Sequence, residues 1–264
     1  MRLETDTLIL EVTRDCNMAC DHCMRGEPED LYMDVRTVAR AIRAFSDIRC
    51  IVFTGGEPTL NVTAINQALH CCEAKGIPVI SAYIATNGKY VPDAFLSACD
   101  DWYTYCAANE YGTNKKIHGE TLEKLARWVG SQRENGSGLS VALSADDYHD
   151  PIPFGNLTRL MSRSYFSTDK FNTDWFHKKN SVLDTGRAKE LLPKDRLRAT
   201  DISRYYVEPD GDTLRFDTIY VNAKGYILPD CNLSYEQQEA YKEFNVNKEG
   251  WKEKLYGRFK ESEG

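Results

Sequence analysis

The chain has 264 residues, 42% of them apolar, and a formal net charge of -7. An acidic balance offers no broad positive field to a phosphate backbone, so nucleic acid is not an expected partner. No run approaches the roughly 18 uninterrupted apolar residues that a membrane span needs, and the acidic first residues do not resemble a secretory signal, so a cytoplasmic protein without a membrane segment is expected.

In chain order, the segment from Thr7 to Thr13 (TLILEVT) reads as a buried strand feeding a cysteine-bearing loop. Asp34 is placed to cap a helix from Val35 to Phe45, where Val35, Val38, Ala41, Ile42 and Phe45 recur at helical spacing. Cys50 to Thr54 (CIVFT) is a second strand closed by Gly55 and Gly56, and Ile65, Ala68, Leu69 and Cys72 mark a second helix. A third strand is expected over Ile77 to Ala85, a turn at Thr86-Asn87-Gly88, and a helix over Pro92 to Cys99. Trp102 to Ala107 reads as a fourth strand and Leu139 to Ser144 as a fifth, with a helical segment from Thr121 to Val129 between them.

Strands alternating with helices predict a parallel sheet. The expected fold class is α/β, a partial (β/α)6 TIM-like barrel with a C-terminal hairpin and helical extension. The core barrel is assigned to residues 1–183 and the extension to 184–264. Past residue 150 the periodicity weakens into an aromatic stretch from Phe154 to Phe176. Leu214 to Val221 and Tyr226 to Leu228 read as a hairpin, and Tyr235 to Lys260 as a charged helix. In such a fold, function gathers at the C-terminal ends of the strands.

Nine cysteines are present, eight of them at or before Cys106. In a reducing compartment clustered cysteines point to metal rather than to disulfides. Cys16, Cys20 and Cys23 lie in CNMACDHC, three thiolates on eight residues directly after the first strand. A structural zinc normally takes four protein ligands, whereas a 4Fe-4S cube held by three leaves one iron open. His22 is flanked by ligand positions and is poorly placed to complete a zinc shell. Cys50, Cys71, Cys72 and Cys99 read as apolar fillers of strands and helix faces.

The C-x3-C-x2-C spacing, with His22 before the last cysteine, resembles the signature of the radical S-adenosylmethionine (radical SAM) superfamily. Gly55-Gly56-Glu57-Pro58 after the second strand and Thr86-Asn87-Gly88 after the third are similar to that family's GGEP and TNG motifs, and the resemblance spans about residues 7 to 150. It implies metal ligation by Cys16, Cys20 and Cys23, with a 4Fe-4S cluster and S-adenosylmethionine as cofactors. It further implies cofactor contacts from Gly55, Gly56, Glu57, Pro58 and Asn87. The two glycines suit close backbone approach to a ligand and Glu57 suits pairing with an ammonium group.

Asn109 stands where relatives carry a serine and an aspartate, a departure from the pattern. Ser144 and Asp146 at the end of the fifth strand are aimed at the same pocket by barrel geometry. Catalytic side chains beyond these are not identifiable. His149 reads as a loop histidine, Arg187 in Gly186-Arg187-Ala188 as a candidate contact to the cofactor carboxylate, and Cys231 as structural. The implied activity is reductive cleavage of S-adenosylmethionine to a 5'-deoxyadenosyl radical that abstracts hydrogen from a substrate. An electron donor such as flavodoxin or ferredoxin would be needed. With few residues ahead of the first strand and no auxiliary-cluster cysteines, a small-molecule substrate is expected. A peptide or protein substrate is the alternative within the class, and a zinc-stabilised binding module is the alternative outside it.

Overall fold

The computed structural model describes residues 2–110, 138–145, 148–167, 182–199 and 204–260. Strand β1 (Arg2–Thr13) organises it. Leu8, Leu10 and Val12 are fully buried, because β1 pairs in parallel on both sides, with β2 (Asp47–Gly55) and with a strand from the C-terminal region. A strand covered on both faces reads as a near-continuous apolar run, which is why LILEV is legible as one.

Asp34 caps α1 (Val35–Ala44), its carboxylate accepting the N–H groups of Arg36 at 2.8 Å and Thr37 at 3.1 Å. After β2, a short 3-10 turn (Pro58–Asn61) leads into α2 (Val62–Lys75), which Gly76 ends at φ 68°. Strand β3 (Ser81–Thr86) follows, and then α3 (Asp93–Glu110). The expected fourth strand at Trp102 to Ala107 is therefore wrong. Cys99, Trp102, Tyr103, Cys106 and Ala107 are all buried at helical spacing, and packing of that face overrides the aromatic β-propensity of the run.

The next strand, β4 (Gly138–Leu143), is the one expected as the fifth. The expected helix from Thr121 to Val129 lies outside the described residues. Helix α4 (Phe154–Met161) and the short β5 (Phe166–Ser167) occupy the first part of the aromatic stretch. Tyr165 there is a core residue whose hydroxyl donates to Asp100 at 2.9 Å; Phe171, Trp175 and Phe176 lie outside the described residues. Beyond them come β6 (Val182–Leu183), α5 (Gly186–Leu191), β7 (Leu197–Arg198) and β8 (Val207–Asp210).

The expected hairpin is present as β9 (Thr213–Val221) and β10 (Ile227–Leu228), antiparallel to one another. Its first strand pairs with β1, so the sheet runs β10-β9-β1-β2-β3-β4-β5 with β8 on β9. Strands on both sides of residue 183 thus share one sheet. No closed barrel forms among the described residues, as a partial barrel requires. The expected terminal helix is broken into α6 (Tyr235–Gln238), a 3-10 turn and α7 (Trp251–Lys260). A Ser234–Gln237 capping box starts the first piece, and the turn around Gly250 at φ 73° starts the second. No described helix is long and apolar enough to cross a membrane.

Candidate functional site

The parallel strands β1, β2, β3 and β4 end at Thr13, Gly55, Thr86 and Leu143. A cavity of about 600 Å³ opens at these ends, where parallel sheets place their ligands. Its wall includes Cys16, Cys20 and Cys23 from the loop after β1, Gly55, Gly56 and Glu57 after β2, Thr86 and Asn87 at the end of β3, and Ser144 after β4. Four segments far apart in sequence therefore meet because their strands are register neighbours.

The cysteines Cys16, Cys20 and Cys23 are each partly exposed. Burial, as the leading cause, pushes the Cys16 thiol up to about 11, with the charges of Glu57, Cys23 and Asp15 adding to the rise. Among the described residues, no three Cys, His, Asp or Glu side chains converge on a point that would hold a single metal ion. A cube makes a different demand, since each thiolate binds its own iron at a separate corner. Three thiols on the wall of a cavity of this volume fit that group.

The glycine pair does something the sequence did not suggest. A Cβ on Gly55 would lie 2.1 Å from the Thr13 carbonyl oxygen, and one on Gly56 would lie 2.1 Å from that of Asp15. The Gly56 N–H donates to Thr13 and the Glu57 N–H to Asp15, both at 2.8 Å. The pair lets the β2 exit lie directly against the backbone entering the cysteine loop, with the cavity on its other side. Gly56→Ala should thus cost at least the 1–3 kcal/mol typical of overpacking, because the clash is with backbone. Chemical denaturation of the variant at its wild-type m-value checks this, and an unchanged midpoint would show that the two segments can separate without loss.

Glu57 is 1% exposed. Its Oε1 accepts the Thr59 N–H at 3.1 Å, the Thr59 hydroxyl at 2.8 Å and the Thr86 hydroxyl at 2.7 Å; its Oε2 accepts the Asn87 N–H at 2.8 Å. Burial raises its pKa above the ordinary carboxylate value, and those four donors oppose the rise. One lone-pair direction of Oε2 is left for a donor from the cavity. Pro58 is buried as the first residue of the 3-10 turn and does not line the cavity. The Asn87 amide donates to Asn17 at 2.8 Å and lies 3.9 Å from the Cys16 sulfur. Gly88, at φ 70°, turns the chain where a Cβ would strike Leu143.

Asn109 belongs to the last turn of α3, where its amide donates to the Val79 carbonyl at 3.0 Å. It is not at a strand end and does not line the cavity; with its strand replaced by a helix, the position expected for it is gone. Asp146 lies outside the described residues. His149 does line the cavity. The His22 ring sits 4.7 Å from that of Tyr148 and 5.1 Å from that of His149, centroid to centroid.

Sequence reasoning missed the floor beneath the cysteine loop. Glu11 and Arg14 are buried and joined by a 2.9 Å bond from Nε to Oε1. Arg14 also donates to Glu29 and to Gln238, while Glu11 accepts from the Ala223 N–H, the Gln238 amide and the Tyr220 hydroxyl. The available signal was Glu11 itself, an acid inside an otherwise apolar strand, which demands a buried partner.

The sheet thus brings three cysteine thiols to one cavity at the ends of its parallel strands. Residues 10–101 match the family model of the radical SAM superfamily, whose enzymes use a 4Fe-4S cluster and S-adenosylmethionine. Over 68 residues the chain is 37% identical to the uncharacterized protein MJ0907 of Methanocaldococcus jannaschii, covering 25% of this chain and 24% of that protein. SuiB of Streptococcus suis bound to the precursor peptide SuiA is similar at a TM-score of 0.36 and 14% identity, over 86% of this chain and 59% of that one. The enzyme anSMEcpe with bound AdoMet and Cp18Cys peptide is similar at 0.39 and 13%, over 88% of this chain and 75% of that one. The chain thus spans under two thirds of SuiB and about a quarter of the archaeal protein.

Proposed function

We propose that this chain is a radical SAM enzyme whose cluster is held by Cys16, Cys20 and Cys23. The observation that carries the reading is that these cysteines, Gly55, Gly56 and Glu57, and Asn87 line one cavity although they follow three different strands. When bound, the cluster and S-adenosylmethionine supply a 5'-deoxyadenosyl radical that abstracts hydrogen from substrate. In this reading Glu57 Oε2 receives the methionine ammonium, and the backbone at Gly55 and Gly56 forms the adjoining wall. Asn87 and Ser144 offer polar groups to the rest of the cofactor. His22, Tyr148 and His149 form a ring-lined side that keeps water from the reacting atoms.

A small molecule is the substrate class we favour, since Cys231 alone follows Cys106 and this sequence lacks the further cysteines that an auxiliary-cluster domain of peptide-modifying relatives needs. A flavodoxin or ferredoxin would serve as electron donor, and nine cysteines without a disulfide suit a reducing cytoplasm. Anaerobic incubation with S-adenosylmethionine and reductant, followed by mass spectrometry, tests the reading. The expected product is 5'-deoxyadenosine from wild type and none from Cys20→Ala. A colourless, zinc-containing protein that leaves S-adenosylmethionine intact would instead establish the binding module.

A further inference from the structure

Between Cys16 and Cys23 the chain has neither helix nor strand, so the directions of its thiols depend on what holds its peptide planes. Within the loop the Cys23 N–H donates to the Cys20 carbonyl at 3.1 Å. A second grip comes from α5, some 160 residues later. Arg187 Nε donates to the Cys20 carbonyl at 3.2 Å, its Nη2 to the Ala19 carbonyl at 3.2 Å, and the Ala188 N–H reaches the Cys23 carbonyl at 3.4 Å. Arg187 Nη1 bonds Glu27, and Nη2 lies 3.6 Å from Asp21, so one guanidinium ties the loop to the segment that follows it.

The start of the helix is fitted to this contact. Gly186 has φ 58°, and a Cβ there would lie 2.5 Å from the Met24 carbonyl carbon and 2.7 Å from the Cys23 carbonyl oxygen. Arg187 also lines the cavity, and its three nitrogens bond the loop and Glu27 beyond it.

We infer that Arg187 is a positioning residue for the cluster, an inference that rests on the cysteine assignment proposed above. The carbonyl of Cys20 receives two donors, which fixes the peptide plane from which the Cys20 side chain and the turn to Cys23 both project. The guanidinium also puts a fixed positive charge beside a loop that would carry three thiolates. A neighbouring cation favours the more negative, reduced form of such an assembly.

Wild type, Arg187→Lys, Arg187→Gln and Arg187→Ala are to be reconstituted anaerobically. Three quantities are read: iron per folded chain, the rate of iron loss to a chelator, and the midpoint potential from titration followed by electron paramagnetic resonance. Loss of two carbonyl bonds should make Gln and Ala release iron about tenfold faster, with a more negative potential. Lys keeps the charge but not the fork geometry, so its potential should stay near wild type while its iron loss is intermediate.

Should the Ala variant fail to fold, Gln and Lys carry the comparison. Release rates and potential equal to wild type in the Gln variant would overturn the inference, even with a lower melting temperature, because that pattern describes a scaffold residue only. Absence of iron from wild type is a different result: it sinks the cysteine assignment and this inference with it.

Discussion

Replacing any one of Cys16, Cys20 and Cys23 with alanine is expected to take anaerobically reconstituted protein from about four iron per chain, the content of a cube, to near zero. Each supplies one of three protein thiolates, and two cannot hold the cube while one of its irons already lacks a protein ligand. Cys71, Cys72, Cys99 and Cys106 are 0–2% exposed within the core, and burial raises the Cys72 thiol to about 12. Cys72→Ala should lose some stability to the small void it leaves and keep its iron. Iron and sulfide analysis of the folded variants decides the matter. Full iron in Cys20→Ala, or none in Cys72→Ala, contradicts the assignment.

Much of the fold is legible because the residues around β1, β2 and β3 obey one rule at a time. Apolar runs bounded by glycine give buried strands, and Asp34 gives a helix start with its own hydrogen-bonding reason. The stretch from Trp102 to Ala107 obeys two rules at once. Its aromatic and cysteine side chains have strand character, but Trp102, Tyr103, Cys106 and Ala107 are buried at helical spacing, so a reading by β-propensity alone misses the period.

The site divides in the same way. Its cysteines and glycines are visible because they follow strand ends, while the Arg187 contact depends on α5 meeting a loop that closes far earlier in the chain. Local sequence carries no record of that meeting. The glycine pair was recognised as a place of close approach, but what approaches was legible only in three dimensions: the backbone of residues Thr13 to Asp15.

Glu57→Gln is expected to weaken binding of S-adenosylmethionine by about 1.5–3 kcal/mol, the worth of a hydrogen bond to a charged group, or roughly tenfold to 150-fold in Kd. The variant should fold. Its amide can place the NH2 among the Thr59 and Thr86 hydroxyls, which can rotate to accept, and keep its oxygen on the Asn87 N–H; the Thr59 N–H at 3.1 Å is the donor left short. The pH dependence separates a charge effect from a shape effect. Burial raises the pKa of Glu57 in the folded protein, so its contribution to stability is present below the unfolded value and lost as pH rises through the folded one. Above that raised pKa the empty protein holds a buried carboxylate that a cofactor ammonium would relieve. Wild-type affinity should fall as pH drops through that raised pKa, because a proton then occupies the place of the ammonium, while Glu57→Gln should stay level over the same interval. Anaerobic calorimetric titrations of both proteins across the acidic range, each checked for a native melting transition, measure this. A variant that matches wild type in Kd and in pH profile would leave Glu57 as the cap of the Pro58–Asn61 turn and nothing more.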